Sequence, residues 1–185
     1  TLRVKEQLYT AEHRSAARAI ASETFVLLKN ENHLLPLGLK GKIALVGPMA
    51  DARNNMCGMW SMACTASRHG TLLEGIRSAA GDKAEILYAK GSNVYEGIRP
   101  LEHEDNRKLL DEALRVASRA DVIVAALGEC AEMSGESASR TNLEIPDAQQ
   151  NLLKALLKTG KPVVLLLFTG RPLVLNWEDA NVHSI

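Results

Sequence analysis

Short apolar runs alternate with amphipathic stretches along the chain from Lys42 onward. Four of the runs are predicted strands: "KIALVG", "AEILYAKG", "DVIVAALG" and "KPVVLLLFTG". The continuous apolar character of "KIALVG" fits a strand that a parallel sheet buries on both faces. The stretches between them carry apolar residues at helical spacing: "GTLLEGIRSAAG", "EDNRKLLDEALRVASRAD" and "PDAQQNLLKALLKTG". Because parallel strand–helix–strand connections are almost always right-handed, few arrangements fit this alternation. The sequence predicts an α/β fold, a three-layer α/β/α sandwich with a mostly parallel sheet and helices on both faces.

Two further segments extend this pattern toward the ends of the chain. Ala11 to Lys29 carries apolar residues near helical spacing, and the preceding Thr10 is a suitable N-cap, so we expect an amphipathic helix there. Near the other end, "RPLVL" is a candidate for the start of another strand. The final "NWEDANVHSI" has no capping element, and we therefore expect the sheet to continue beyond it.

The charge balance and the apolar runs exclude several classes of partner. Lys plus Arg equal Asp plus Glu at 22 each, so there is no electrostatic reason to expect nucleic acid or an anionic membrane. The longest apolar run, Val163 to Phe168, is far shorter than the roughly 20 residues of a membrane span. The first residues lack the apolar core of a signal peptide.

Common cofactor and hydrolase motifs are not met. "ALVGPMADARNN" is neither GxGxxG nor a phosphate loop, and Pro48 removes a backbone donor where phosphate binding would need one. "MSGES" does not fulfil the G-x-S-x-G elbow of serine hydrolases. The histidines are scattered and are interpreted as surface residues: His13, His33, His69, His103 and His183. We expect no cofactor.

The three cysteines show no spacing typical of a metal site, and we expect no metal. Partly buried free thiols are the favoured interpretation of Cys57, Cys64 and Cys130. A Cys57–Cys64 bridge is the alternative, and it requires an oxidising compartment.

The connection from Leu127 to Pro146, "LGECAEMSGESASRTNLEIP", is the most unusual segment. Ordinary strand-to-helix connections in α/β folds take about 2–6 residues. This one follows the third strand, at the sheet edge where such folds bind ligands, together with "GPMAD" and "TGRP". It carries four carboxylates: Glu129, Glu132, Glu136 and Glu144. A long acidic loop at that edge indicates a functional segment.

Loop acids are usually solvated, and this interpretation is assigned to Glu144 and Glu129. Glu136 differs because Gly135 lets the backbone bend beside it, while Arg140 lies four residues later and can hold a carboxylate or orient the loop. A carboxyl group on a mobile loop suits a general acid when partial desolvation raises its pKa. From the residues alone, a catalytic and a solvated Glu136 both remain open.

Five motifs occur together in an order that resembles a known family. They are "ARAIASETFVLLKNENHLLPL", "KIALVGPMAD", "YAKG", "LGECAEMSGESASRTNLEIPDAQQNLLKAL" and "GKPVVLLLFTGRPLVLNWED". This set resembles the second, C-terminal domain of glycoside hydrolase family 3, and most closely the bacterial periplasmic β-glucosidase type. The resemblance runs from about Ala11 to the end of the chain.

The resemblance implies an activity and a site. Family members remove terminal β-linked sugars from glucosides, xylosides or related oligosaccharides with retention of configuration. An Asp on a first, (β/α)8-type barrel domain is the nucleophile, and a Glu on a long loop of the second domain is the usual general acid/base. Glu136 is the position that aligns with that Glu. Its substrate-binding neighbours would be Glu129, Glu132, Met133, Ser134 and Arg140.

The resemblance also implies how the chain is organised. Residues 1–10 resemble the linker that leaves the barrel, and residues 11–185 resemble the α/β-sandwich domain, truncated at its C-terminal end. The expected partners are that barrel and an oligosaccharide or β-glycoside substrate, in a periplasmic or secreted protein. Without the barrel, we expect the chain to be inactive, the loop Glu129 to Asn142 to be mobile, and apolar surface to be exposed near Trp60. The competing interpretation places Trp60 in the core of this domain.

Two rival functions remain. The first is a carbohydrate-binding or interdomain module whose own acids do no chemistry. The second is a nucleotide-binding α/β domain, which nucleotide-dependent thermal stabilisation would reveal.

Overall fold

A parallel sheet of four strands forms the centre of the computed structural model, which describes residues 2–94 and 104–185. The strands are β1 (Gly41–Val46), β2 (Ala84–Ala89), β3 (Val122–Gly128) and β4 (Val163–Phe168), and their order in the sheet is β2-β1-β3-β4. Every pair of neighbours is parallel. The four strands match the four predicted apolar runs, so the predicted parallel sheet is confirmed.

Six α-helices accompany the sheet in the described ranges: α1 (Leu2–Gln7), α2 (Ala11–Glu23), α3 (Leu72–Ala80), α4 (Asn106–Ser118), α5 (Asp147–Leu157) and α6 (Asn176–Asn181). The three predicted crossover helices correspond to α3, α4 and α5. Local signals start them: Asp105 caps α4 by accepting from the Arg107 amide, and Pro146 precedes the first turn of α5.

The start of α3 is a capping box. The Thr71 hydroxyl accepts from the Glu74 amide, and the Glu74 carboxylate accepts from the Thr71 amide at 3.0 Å. The hydrogen bond from Thr71 holds the pKa of the Glu74 carboxyl below its ordinary value, and Arg53 acts in the same direction. The box satisfies two amides that the helix itself leaves without acceptors.

Two apolar clusters lie on opposite faces of the sheet. One cluster lies between the sheet and the helices α4 and α5. It contains strand residues Ala44, Val46, Ile123, Ala125 and Leu127, and α5 contributes Leu152, Leu153 and Leu156. Ile43, Leu45, Val124 and Ala126 point the other way, where Leu73 of α3 and the segment 34–37 cover them. Alternate residues of each strand therefore serve different faces, and the predicted three-layer arrangement with helices on both faces is confirmed.

The sheet continues past β4 in the last residues of the chain, not in "RPLVL". Ser184 bridges Val164 in parallel, and the Leu165 amide donates to the Ser184 carbonyl at 2.8 Å. The "RPLVL" segment is irregular because Pro172 has no amide hydrogen and the Val174 amide donates to Leu143 O, at 2.8 Å. The expectation of a strand at "RPLVL" is therefore wrong.

The predicted N-terminal helix begins as expected and ends early. The Thr10 hydroxyl caps α2 by accepting from the His13 amide at 3.2 Å, but the helix stops at Glu23 instead of Lys29. The following residues leave the helix because the amides of Leu28 and Lys29 donate to the Ile185 carbonyl. No residue of α2 is buried.

No helix in the described part of the chain has the length and apolar character needed to cross a membrane.

Candidate functional site

The loops that follow the strands meet at the carboxyl edge of the sheet. The chain leaves β1 for β2 on one side and leaves β3 for β4 on the other, so the edge between β1 and β3 is the switch point at which open α/β sheets bind ligands. At Gly128, with φ 143°, an added Cβ would lie 1.8 Å from Phe168 O. This close approach lets the Glu129 amide donate to Phe168 O at 2.8 Å, which fixes where the acidic loop begins.

Glu129 is buried and ion-paired, so its interpretation as a solvated acid is wrong. Its side chain is 1% exposed. One carboxylate oxygen accepts from Arg140, and the other accepts from the Thr169 hydroxyl at 3.2 Å and lies 3.3 Å from Arg171 Nε. Two guanidinium groups compensate for the loss of water around this carboxylate.

Arg140 contacts Glu129 and not Glu136. Its second nitrogen donates to the Glu144 carbonyl at 3.1 Å, so this arginine joins the two ends of the acidic loop. Arg140 therefore holds a carboxylate and orients the loop, as expected, and the carboxylate is that of Glu129, a buried charge that needs a partner.

Arg171 holds the middle of the loop. Its Nη2 donates to the carbonyls of Met133 and Ala138, on either side of Glu136. Sequence reasoning placed "TGRP" at this edge but gave Arg171 no role. The available signal was a basic residue three positions after the end of β4, the strand that neighbours β3.

Glu136 is exposed at the tip of the loop. Two residues with positive φ flank it, Gly135 at 101° and Ser137 at 61°. Within the described residues, no hydrogen bond or ion pair to the Glu136 carboxylate is found. The Glu136 carboxylate is thus open to solvent while Arg171 holds the backbone on both sides of it, and this arrangement suits a group that must meet a ligand.

The remaining predicted neighbours lie on the same loop but differ in exposure. Glu132 is exposed, Met133 is 7% exposed, and Ser134 is half-buried against Gly170. Burial raises the pKa of the nearby Cys130 thiol to about 11, and the hydrogen bond and charge of Glu132 act in the same direction. Whether the loop from Glu129 to Asn142 is mobile stays a prediction.

A group of exposed apolar side chains, called the apolar wall, lies beside the loop and consists of Met56, Met59, Trp60 and Met62. An added Cβ at Gly135 would lie 2.7 Å from Met59 Cγ and 3.4 Å from Trp60 Nε1, so the two segments touch there. Trp60 is 72% exposed and Met62 99%, while Met56 and Met59 are also exposed. The expectation of exposed apolar surface is confirmed, and the placement of Trp60 in the core is wrong.

Cys57 and Cys64 form a disulfide, which corrects the favoured interpretation of three free thiols. Cys130 is free and buried. The fold also brings His69 against the bridge: ligand atoms of Cys57, Cys64 and His69 all lie within 4.8 Å of one another. Sequence spacing did not reveal this group because the turn that closes it is formed by residues 58–68.

Gln149 is a buried polar residue that sequence reasoning missed. Its Oε1 accepts from the Gly128 amide at 2.8 Å, while Nε2 donates to the carbonyls of Val94 and Gly128. This side chain joins the end of β3 to the segment after β2. A polar residue on the inner face of a predicted helix was the available signal.

The chain matches the Glycosyl hydrolase family 3 C-terminal domain over residues 25–185. It is 44% identical to the periplasmic β-glucosidase of Salmonella typhimurium over 94% of this chain and 24% of the relative. It is 31% identical to a β-xylosidase of Formosa agariphila over 95% of this chain and 24% of the relative. The crystal structure of a β-glucosidase from Listeria innocua with isofagomine superposes with a TM-score of 0.83 at 31% identity, over 97% of this chain and 23% of that one. The chain spans about a quarter of the length of the relatives it matches.

Proposed function

Since the chain belongs to the glycosyl hydrolase family 3 C-terminal domains, we propose that it works as the second domain of a retaining β-glycosidase. In this proposal the full-length protein removes terminal β-linked glucose, xylose or a related sugar, and Glu136 is the general acid/base. The names of the relatives, β-glucosidases and a β-xylosidase, support the substrate class. The observation that carries the site is the exposed Glu136 carboxylate at the tip of an anchored loop on the carboxyl edge.

Retaining hydrolysis needs two carboxyl groups about 5–5.5 Å apart, one as nucleophile and one as acid/base. In the proposal, the nucleophile is on a barrel domain that precedes residues 1–10, which act as the linker, while residues 11–185 form the sandwich domain. Glu136 first protonates the leaving glycosidic oxygen, and its carboxylate then takes a proton from the water that releases the sugar. The loop is long because it has to reach a sugar held by another domain.

An exposed carboxyl group has to lose part of its hydration to act as an acid near neutral pH. The barrel and the bound sugar supply this cover in the proposed enzyme, with the apolar wall at Met59 and Trp60 on one side. Glu132, which is exposed, and Ser134, which is half-buried, lie on the same loop and are proposed substrate neighbours. Met133, Glu129 and Arg140 are proposed to shape the pocket from below, since all three are largely covered by protein.

We also propose a periplasmic or secreted location for the full-length protein. The periplasmic relative supports this, and so does the Cys57–Cys64 disulfide, because such bridges persist in oxidising compartments.

Glu136→Gln in the full-length enzyme tests the assignment. The amide keeps size and polarity but cannot donate the proton, so turnover of unactivated disaccharides should fall about 10²–10⁴-fold. Aryl glycosides with good leaving groups should lose least in the first step, and added azide should restore part of the rate by attacking the glycosyl-enzyme without base assistance.

Glu144→Gln is the matched control, an exposed acid of the same loop that should leave turnover near the wild-type value. Near-normal disaccharide hydrolysis by Glu136→Gln would refute the assignment, and loss of activity in Glu132→Gln alone would move the role to that residue. A change confined to KM, with kcat intact, would instead indicate a purely binding module.

A further inference from the structure

The Cys57–Cys64 disulfide lies beside His69, so three side chains that can bind a metal ion are grouped in one place. Cys57 Sγ lies 3.7 Å from His69 Nε2, and Cys64 Sγ lies 4.0 Å from His69 Nδ1. Zinc bonds of about 2.3 Å to sulfur and 2.0–2.1 Å to nitrogen place tetrahedral S and N ligands roughly 3.6 Å apart. The 4.0 Å contact between Cys64 Sγ and His69 Nδ1 is near this spacing, and ligand atoms of all three residues lie within 4.8 Å of one another. The two sulfurs are bonded to each other, so they have to move apart after reduction before both can bind one cation.

The backbone beside the bridge orients the imidazole. His69 Nε2 lies 3.2 Å from the Arg53 carbonyl oxygen, which can only accept a hydrogen bond, so this nitrogen carries the proton. In the neutral imidazole with this tautomer, Nδ1, the ring nitrogen next to Cys64 Sγ, has the free lone pair that a metal ligand needs. Histidines that bind metals typically donate their other N–H to a carbonyl or carboxylate in this way.

We propose that reduction of the Cys57–Cys64 bridge creates a site for a divalent cation of the zinc class. A dithiol reductant supplies two electrons and two protons, the S–S bond breaks to two thiols, and the reductant closes to a cyclic disulfide. The cation then binds both sulfurs as thiolates and His69 through Nδ1, with release of two protons to solvent. Water occupies the fourth position, as in zinc sites with three protein ligands.

Disulfide and metal exclude each other because they use the same sulfur atoms. The site is accessible, since Cys64 is exposed while Cys57 and His69 are half-buried. It also adjoins the acidic loop: Asn55 Oδ1, within the turn Arg53–Cys57, accepts from the Ala131 amide at 3.1 Å. Either closure, by the bridge or by the cation, holds the segment 57–64 that contacts Gly135.

Cobalt(II) is the probe, because thiolate ligands give it an intense near-ultraviolet charge-transfer band. The chain is reduced with a dithiol, freed of reductant without oxygen, and titrated with Co²⁺. We expect one equivalent to bind to the reduced chain with this band, displacement by Zn²⁺, and no band from the oxidised chain. Cys130→Ser, which removes the buried cysteine outside the site, should titrate like the wild type.

Cys64→Ser should abolish the band, and His69→Gln should weaken Co²⁺ binding by at least about tenfold. Far-ultraviolet circular dichroism of each reduced variant, compared with reduced wild type, separates loss of the ligand from loss of the fold, and Cys57→Ser provides a second test of the same ligand set. Absence of the band from folded, reduced wild type would overturn the proposal. So would a band that survives Cys64→Ser or disappears in Cys130→Ser.

Discussion

Glu129 shows how a single carboxylate can organise a loop from beneath it. Its partners come from different connections, Arg140 from the loop after β3 and Arg171 from the segment after β4. A buried ion pair adds little net stability compared with an apolar core, but removal of one partner leaves a charge without compensation. The stability of the fold should therefore decrease when any one member of this cluster is removed, since all three charged side chains are largely buried.

Arg171→Ala should lower the free energy of unfolding by about 1.5–3 kcal/mol, the range for hydrogen bonds to a charged group. Urea unfolding of the chain measures this value. Arg119→Ala is the control, because Arg119 is 62% exposed, lies 4.0 Å from Glu85 and should contribute less than about 1 kcal/mol. Equal effects of the two substitutions would show that the Glu129 cluster is no stronger than a surface pair.

Cys130 should make stability decline in alkali. Its folded pKa of about 11 lies above the ordinary value of 9.0, so the unfolded chain loses its proton first as pH rises. Below about pH 8 the thiol contributes fully to the free energy of unfolding. Between pH 9 and 11 this free energy decreases by about 2–3 kcal/mol in total. Unfolding curves of wild type and Cys130→Ala across this range measure the effect, and parallel declines in both proteins would contradict it.

Among the helices and strands, local sequence patterns predicted those elements whose position depends on residues close to them in the sequence. The strands and α3, α4 and α5 lie where apolar periodicity, caps and glycines placed them, because each signal lies within a few residues of its effect. Helix α2 ended early because its continuation hydrogen-bonds to Ile185, more than 150 residues away in the sequence. Helix propensity in residues 24–29 was overridden by that distant partner.

The candidate site was predicted in location and only in part in detail. Loop length and the strand edge indicated the segment around Glu136. The burial of Glu129, the partner of Arg140 and the Cys57–Cys64 bridge all depend on contacts between separate connections, which one-dimensional spacing does not contain.

The caps of α3 and α2 should differ in their effect on stability. Thr71→Ala removes the hydroxyl that accepts from Glu74, and since α3 packs on the core through Leu73, we expect a loss of about 1 kcal/mol in global unfolding. Thr10→Ala, in a helix without buried residues, should change global unfolding much less because that helix can open by itself. Chemical denaturation measures both, and equal losses would contradict this view.

At the scale of the whole molecule, two strongly exposed aromatic side chains fit the proposal that another domain packs against this chain. Phe25 is 82% exposed and Trp60 72%, values that are unusual for aromatic side chains of a finished surface. The proposed barrel would cover both the Trp60 wall and the Glu136 loop. In that proposal, a single contact with the barrel would both cover this apolar surface and complete the active site.

The isolated chain should therefore not hydrolyse aryl β-glucosides, because a double displacement needs a second carboxyl group as nucleophile. Release of nitrophenol by the purified chain is compared with a blank purified from host cells and with the full-length enzyme. Turnover above the blank that persists through repeated purification would show that the chain carries a complete site.

The strand order determines how long β1 has to wait for its neighbouring strands during synthesis of the chain. Ile43 of β1 pairs with Ile86, 43 residues later, and with Val122, 79 residues later. At roughly 5–20 residues per second, a ribosome makes the second partner about 4–16 s after β1. Until Val122 is made, the β3 edge of β1 has no partner and the face that α4 and α5 cover is open, so we expect the nascent chain to be a substrate for holdase chaperones.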